Sequence, residues 1–143
     1  MSLTFDILRE ADIPSLIEAF KGYVQISSER MMMFLSEKQN VALIAKLEGK
    51  IIGLIYGYAL TRFDGKAPQF FIYSVDIQPD YQNKGYGSCF VKYAVDWARD
   101  NGFYKSFVPT EKDNPRACRV YEKAGMKYNE NNNDRMYVIE YDA

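Results

Sequence analysis

The stretch QPDYQNKGYGSCF, residues 78–90, decides how the chain is read. It follows an apolar run and precedes a helical one. It sets Gly85 and Gly87 one residue apart, behind Gln82 and Lys84. A strand handing over to a helix leaves free backbone N–H groups beside the positive end of the helix dipole. Together these suit an anion, above all a phosphate. Glycines let the backbone approach such a group with no Cβ in the way.

Two common phosphate readers do not fit. A Walker A loop, G-x-x-x-x-G-K-[ST], is missing, and Phe90 stands where the third glycine of a Rossmann G-x-G-x-x-G belongs. No acidic residue closes a following strand to hold a ribose. The pattern left is Q-x-x-G-x-G at Gln82, Gly85 and Gly87. By itself it also fits a glycine-rich turn with no ligand.

Working outward, QFFIYSVDI (69–77) is apolar on both faces and reads as a mid-sheet strand. Residues 87–101 read as a helix with Phe90, Ala94 and Ala98 on one stripe and Asn101-Gly102 as its stop. Upstream, TFDIL alternates as a strand. Asp12 and Pro14 open a helix through about Tyr23, and SSERMMMFLSEK is a second helix capped by Ser27 or Ser28. VALIAKLEGKIIGLIYGYAL is a hairpin about Glu48-Gly49, followed by the loop DGKAP (64–68). Downstream, YKSFVP is a strand and NPRACRVYEKAG a helix with Asn114 as cap, Pro115 first and Gly125 at its end. GMKY and RMYVIEY are expected to close the chain as strands around NENNND (129–134). The expected order is β-α-α-β-β-β-α-β-α-β-β, an α/β mixed sheet of about seven strands with about four helices, in one domain over 1–143.

A chain of 143 residues buries roughly 70% of its unfolded surface, enough for stability without a metal or disulfide. A formal charge of −1 carries no nucleic-acid footprint. No apolar run approaches membrane-spanning length, and MSLTFDILRE lacks the basic and apolar regions of a secretion signal. Cys89 and Cys118 fall in expected helices and read as buried, reduced thiols, so a cytoplasmic protein without membrane or nucleic-acid partners is expected. The chain has no histidine. That removes Ser–His and Cys–His catalysis and most zinc sites, and no metal is expected. Chemistry is left to carboxylates, tyrosines, lysines and backbone.

A second motif joins the first. Asn114, Ala117, Tyr121 and Gly125 have the spacing N-x-x-A-x-x-x-Y-x-x-x-G. With both segments in order, the chain resembles the GNAT superfamily of acetyl-CoA-dependent N-acetyltransferases along nearly its whole length. The resemblance implies a GNAT-like fold in which the glycine loop wraps the pyrophosphate of coenzyme A and the pantetheine arm lies like an extra strand. Carried over, backbone groups of Val75 and Ile77 bind pantetheine. The amides of Asn83, Lys84, Gly85, Tyr86, Gly87 and Ser88 bind pyrophosphate, Lys84 adding charge. The motif positions Gln82, Asn114, Ala117 and Tyr121 fall at the cofactor too. Acetyl-CoA is the implied co-substrate, and the resemblance also allows a homodimer.

Acetyl transfer to an amine needs a base, because an amine of pKa about 10 is neutral only about one part in a thousand at pH 7. It also needs a donor for the developing oxyanion and an acid for the leaving thiolate. By resemblance Tyr121 is the acid, although a helix tyrosine can simply pack on the sheet. Asp76 is a carboxylate in a strand built for burial, which raises a carboxyl pKa unless it is paired. Strict alternation places it with Ser74 and Ile72, opposite Val75 and Ile77. Asp76 is therefore the first candidate base, or an Asp held by neighbouring groups. Glu111 in VPTEKDN is the second, and ordered water the third. The oxyanion donor is a backbone N–H near Ile77.

For the acceptor the resemblance points to ERMMMFL, Tyr56, Tyr58, RFDGKAP, Tyr73 and NENNND as walls. Met31–Met33 read as core packing or as a pliable wall. Alternation puts Ile52, Leu54, Tyr56, Tyr58 and Leu60 on one face of their strand, and Gly53, Gly57 and Ala59 on a small face that invites close packing. The span from NVALIAKLEGK to TEKDN resembles the branch that includes aminoglycoside 3-N-acetyltransferases. Asp64, Asp76, Glu111 and Asp113 would suit a polycation, or serve as ordinary surface charges. The expected acceptor is a small-molecule primary amine, aminoglycoside-like or a polyamine. A peptide or protein amine is the alternative, as is a non-catalytic acetyl-CoA sensor.

Overall fold

Glu48 and Gly49 both take positive φ, 50° and 84°, the left-handed pair that a two-residue hairpin needs. They fold residues 40–60 back on themselves. The computed structural model describes residues 2–128, 137 and 139–141. Its strands are β1 (Leu3–Ile7), β2 (Asn40–Leu47), β3 (Lys50–Leu60), β4 (Gln69–Ile77) and β5 (Lys105–Phe107). They lie in the order β1-β2-β3-β4-β5. All neighbours are antiparallel except the parallel pair β4–β5.

Four helices cover the sheet: α1 (Ile13–Ala19), α2 (Ser28–Ser36), α3 (Tyr86–Asp100) and α4 (Pro115–Lys123). Ser27 caps α2 by accepting the Arg30 N–H at 3.2 Å, and Asn114 caps α4 by accepting the Ala117 N–H at 3.2 Å. Asp12 precedes α1, but its carboxylate accepts the Arg9 N–H instead. That helix ends at Ala19, short of the expected Tyr23, and the chain turns through Gly22 at φ 90°. Asn101 and Gly102 stop α3 as expected.

The core has two layers. Phe90, Val91, Ala94 and Ala98 of α3 pack on Leu43, Ile52, Ile55, Phe70 and Ile72. On the opposite face, Leu16 and Phe20 pack on Ala42, Ile44, Ile51 and Leu54.

Several expectations need correction. The sheet has five strands among the described residues, not seven. Residues 126–128 of GMKY are described and form no strand. NENNND and Arg135, Met136 and Val138 of RMYVIEY lie outside the described residues, and Tyr137, Ile139, Glu140 and Tyr141 belong to no strand. The two thiols are free but not buried: Cys89 is exposed and Cys118 half-buried. Cys89 lies in the same helix as Phe90 but off its buried stripe. Met31 packs on the core, whereas Met32 and Met33 are exposed.

Two β-bulges overturn strict alternation, because each inserts one unpaired residue and shifts the phase of the residues beyond it. Ala45 pairs with Gly53 and Lys46 with Ile51, leaving Ile52 over. Ile52 therefore joins the α3 core rather than the face of Leu54 and Tyr56. In the second, Tyr56 pairs with Ser74 and Gly57 with Ile72, so Tyr73 is the extra residue. Ile72 thus lies with Val75 and Ile77 against α3, and not with Asp76. The small face of β3 is closely approached as expected. A Cβ at Gly53 would lie 2.9 Å from Ile77 Cδ1, and one at Gly57 would overlap the Phe71 carbonyl oxygen.

Candidate active site

β4 is paired with β3 along its full length, but with β5 only at Gln69, Phe70 and Phe71. Phe71 stacks on Phe107 at 5.1 Å, where the pairing ends. Beyond it, among the described residues, no strand covers the other edge of β4. The Gln78 N–H donates to the Ile52 carbonyl of β3 at 2.8 Å. Across that trans peptide the Ile77 carbonyl must point the opposite way, to the open edge. The N–H and C=O of one strand residue share an edge, and the edge alternates from residue to residue. The polar groups of Ile77 and Val75 therefore both face the opening.

The loop after β4 ends at that opening. Asn83 and Gly85 take positive φ, 62° and 86°, and the glycine meets this demand without a Cβ clash. Gly85 is the N-cap of α3 and has no side chain to cap it. The Cys89 N–H finds the Gly85 carbonyl at 3.3 Å. The N–H groups of Tyr86, Gly87 and Ser88 have no acceptor within the helix, so three donors converge at its positive end. Gly87 is not required by packing: a Cβ there would meet Val120 at 3.6 Å and Ile77 at 3.8 Å, ordinary contacts. Lys84 Nζ lies 6.0 Å from the Tyr81 ring centre. These donors, with the open edge, fit a phosphate-bearing group with an extended amide arm.

Gln82 faces inward. Its Nε2 donates to the Ile77 carbonyl at 2.9 Å and its Oε1 accepts from Arg116 Nη1 at 2.7 Å. Sequence reading misses Arg116. Its position two residues after Asn114, inside the second motif, is the available signal. The Asn114 side chain is committed to Ala117, so these two residues serve as the helix cap.

Tyr121, on α4, is half-buried against the α3 core. Burial pushes its phenol pKa above the ordinary value; the neighbouring Thr110 hydroxyl pulls it partway back, and the charge of Asp76 adds a smaller upward push. Tyr121 is thus a protonated phenol at neutral pH. Asp76 is half-buried and accepts from Ser74 Oγ at 2.6 Å. Among the described residues it has no cationic partner within ion-pair distance. Glu111 is exposed in the turn before α4, where its backbone carbonyl accepts the Asn114 N–H at 3.1 Å.

On the Asp76 side of the sheet the aromatics form a shelf. Tyr73, 59% exposed, lies 5.3 Å from Tyr56 and 6.0 Å from both Tyr58 and Phe71. Phe34 of α2 closes it, 5.6 Å from Tyr56. Burial raises the Tyr56 pKa, with smaller contributions from Tyr73, Tyr58 and Asp76. Asp64 is not free to serve this shelf: Arg62 pairs with it and donates to the Tyr104 hydroxyl at 2.5 Å. Among the described residues no cluster of three metal-ligating side chains occurs, and no helix is long and apolar enough to cross a membrane.

Comparison with known proteins agrees with this geometry. Residues 5–126 match the acetyltransferase (GNAT) family. Streptothricin acetyltransferase A of Bacillus subtilis (strain 168) is 29% identical over 96 residues, covering 63% of this chain and 49% of that protein. The chain thus spans about half of that relative's length. An aminoglycoside acetyltransferase from an uncultured soil metagenomic sample, in complex with trehalose, superposes with a TM-score of 0.78 at 24% identity, covering 96% of this chain and 97% of that one. AAC(6')-Iy, in complex with the bisubstrate analogue CoA-S-monomethyl-acetylneamine, gives a TM-score of 0.75 at 12% identity over 100% of both chains. The last two likenesses establish the fold, and the family match covers most of the sequence. The chain belongs to the acetyltransferase (GNAT) family.

Proposed function

We propose that this N-acetyltransferase takes the acetyl group of acetyl-CoA and passes it directly to a primary amine of a small molecule, aminoglycoside-like or a polyamine. The observation that carries the reading is the open edge of β4. It meets the uncapped start of α3 at one end and lies between Asp76 and Tyr121. Acetyl-CoA supplies an activated thioester when bound. The chain's own residues supply the rest. The Ile77 and Val75 edge orients the donor, the amides of 83–88 hold its pyrophosphate, and the Ile77 N–H lies near the reacting carbonyl. Asp76 accepts a proton from the amine, and Tyr121 keeps one at its phenol oxygen for the departing sulfur. The streptothricin-acetylating relative and the aminoglycoside-acetylating fold neighbours support small amines as the first acceptors to try.

The test is calorimetric titration with acetyl-CoA, followed by thiol release across a panel of aminoglycosides, polyamines and peptide amines. Binding with turnover of a small amine supports the reading. Turnover of peptide amines alone reassigns the acceptor, binding without turnover makes the protein a sensor, and no binding ends it.

Two substitutions test the proton carriers. Tyr121→Phe should lower kcat about tenfold while acetyl-CoA affinity stays within about twofold. Because burial raises its pKa, the parent should hold this function to a higher pH than an ordinary tyrosine would allow, and lose it as the phenol ionises. Equal losses in turnover and binding would make Tyr121 a packing residue. Asp76→Asn keeps the shape and a partner for Ser74 but cannot take a proton. At pH 7 its kcat should fall about tenfold with donor affinity unchanged. An undiminished kcat would move the role to Glu111, with Glu111→Gln as the comparison.

A further inference from the structure

We infer that Arg116 is a positioning residue for donor binding. It acts through Gln82 on the Ile77 peptide and ties α4, which carries Tyr121, to the open edge of β4. The inference rests on the acetyl-CoA reading above and concerns a residue that neither motif marks.

The connection is a chain of two hydrogen bonds. Arg116 Nη1 donates to Gln82 Oε1 at 2.7 Å, and Gln82 Nε2 donates to the Ile77 carbonyl at 2.9 Å. Its polarity leaves no alternative. A guanidinium has only donors and a carbonyl only accepts, so the Gln82 amide can bridge them in one orientation. The Ile77 carbonyl is thereby held from the open side while the adjoining Gln78 N–H is held by Ile52 from the β3 side at 2.8 Å. The Ile77–Gln78 peptide, gripped from both edges, cannot rotate, and the end of β4 that borders the opening is held in place.

The position of Arg116 is otherwise unfavourable. It is the second residue of α4, and the first turn of that helix contains no acidic residue. A cation at a helix N-terminus opposes the macrodipole. Its charge-assisted bond to Gln82 offsets that cost.

Two explanations of Arg116 make different predictions. A direct phosphate ligand would matter only for donors that carry a pyrophosphate. A residue acting through the Ile77 peptide would matter for any donor whose amide arm lies along β4. The experiment measures Arg116→Met, Gln82→Leu, the double variant and Arg116→Lys. Acetyl-CoA is titrated by calorimetry, and turnover is followed with acetyl-CoA and with S-acetylpantetheine, which has no phosphate.

Arg116→Met should weaken acetyl-CoA about tenfold and raise the donor KM, with kcat at saturating donor within about twofold. The double variant should be no worse than the weaker single variant. S-Acetylpantetheine kcat/KM should fall severalfold, and Arg116→Lys, which still donates a charged hydrogen bond, should recover most of the loss. Additive losses in the double variant, or undiminished S-acetylpantetheine turnover, would overturn the inference. Failure of the parent to bind acetyl-CoA would instead strike the functional reading, so the two failures are separable.

Discussion

Gly87→Glu is expected to lose acetyl-CoA binding by a factor of at least about 100 in Kd while the protein keeps its fold. The change places a carboxylate among the three N–H donors at the start of α3. A side chain there fills the space and turns an anion site repulsive, and a hundredfold corresponds to ~2.7 kcal/mol. The fold has no reason to suffer. The new Cβ would make ordinary contacts with Val120 at 3.6 Å and Ile77 at 3.8 Å. Glycine is also a poor helix residue, and an acidic side chain in the first turn suits the dipole. Calorimetry beside a thermal melt decides it. Lost affinity with an unchanged Tm assigns the loop to pyrophosphate, whereas affinity within about threefold of the parent would leave residues 82–88 as a turn with no ligand.

Gly57→Ala should do the opposite, destabilising the fold itself. Its Cβ would overlap the Phe71 carbonyl oxygen and lie 3.0 Å from the carbonyl carbon. The obstacle is backbone, fixed between two paired strands, so the bulge itself must shift. A cost of about 3 kcal/mol or more is expected, at the upper end of overpacking effects. For a domain of this size it should lower Tm by about 10 °C. Gly53→Ala is the comparison. There the nearest atoms are the ends of Ile77 and Phe90 side chains, which can move, and the loss should be clearly smaller. Equal melting temperatures for Gly57→Ala and the parent would mean that β3 and β4 tolerate separation at the bulge.

Most of the architecture is legible in the chain because its punctuation is local. Glu48-Gly49, Ser27, Asn114 with Pro115, and Asn101-Gly102 each fix a boundary through one turn or cap, and each stands where the residue order places it. The glycine turn into α3 is equally legible, since glycine spacing before a helix is a local signal. The features that escape depend on pairing between distant segments. Alternation along QFFIYSVDI cannot reveal that Tyr73 has no partner on β3, so it puts Ile72 on the wrong face. It misplaces Ile52 for the same reason. Arg116 escapes because its role lies in a bond to a residue 34 positions away. The exposure of the thiols escapes because burial depends on which side of a helix meets the sheet, and Cys89 stands beside the stripe rather than in it.

The bulge at Tyr73 also bears on how this chain can change in length. Removing Tyr73 would leave every flanking residue on its present face: Ile72, Val75 and Ile77 toward α3, Ser74 and Asp76 toward the tyrosine shelf. The bend and added twist that a bulge imposes would go. β4 parts from β5 just as that bend begins, with Phe71 the last paired residue. A straightened β4 would let β5 continue alongside it and occupy the edge offered by Val75 and Ile77. The deletion would thus repair the sheet and close the slot. On the donor-binding reading proposed above, a homologue one residue shorter at this point is expected to keep the sheet and to bind the donor more weakly.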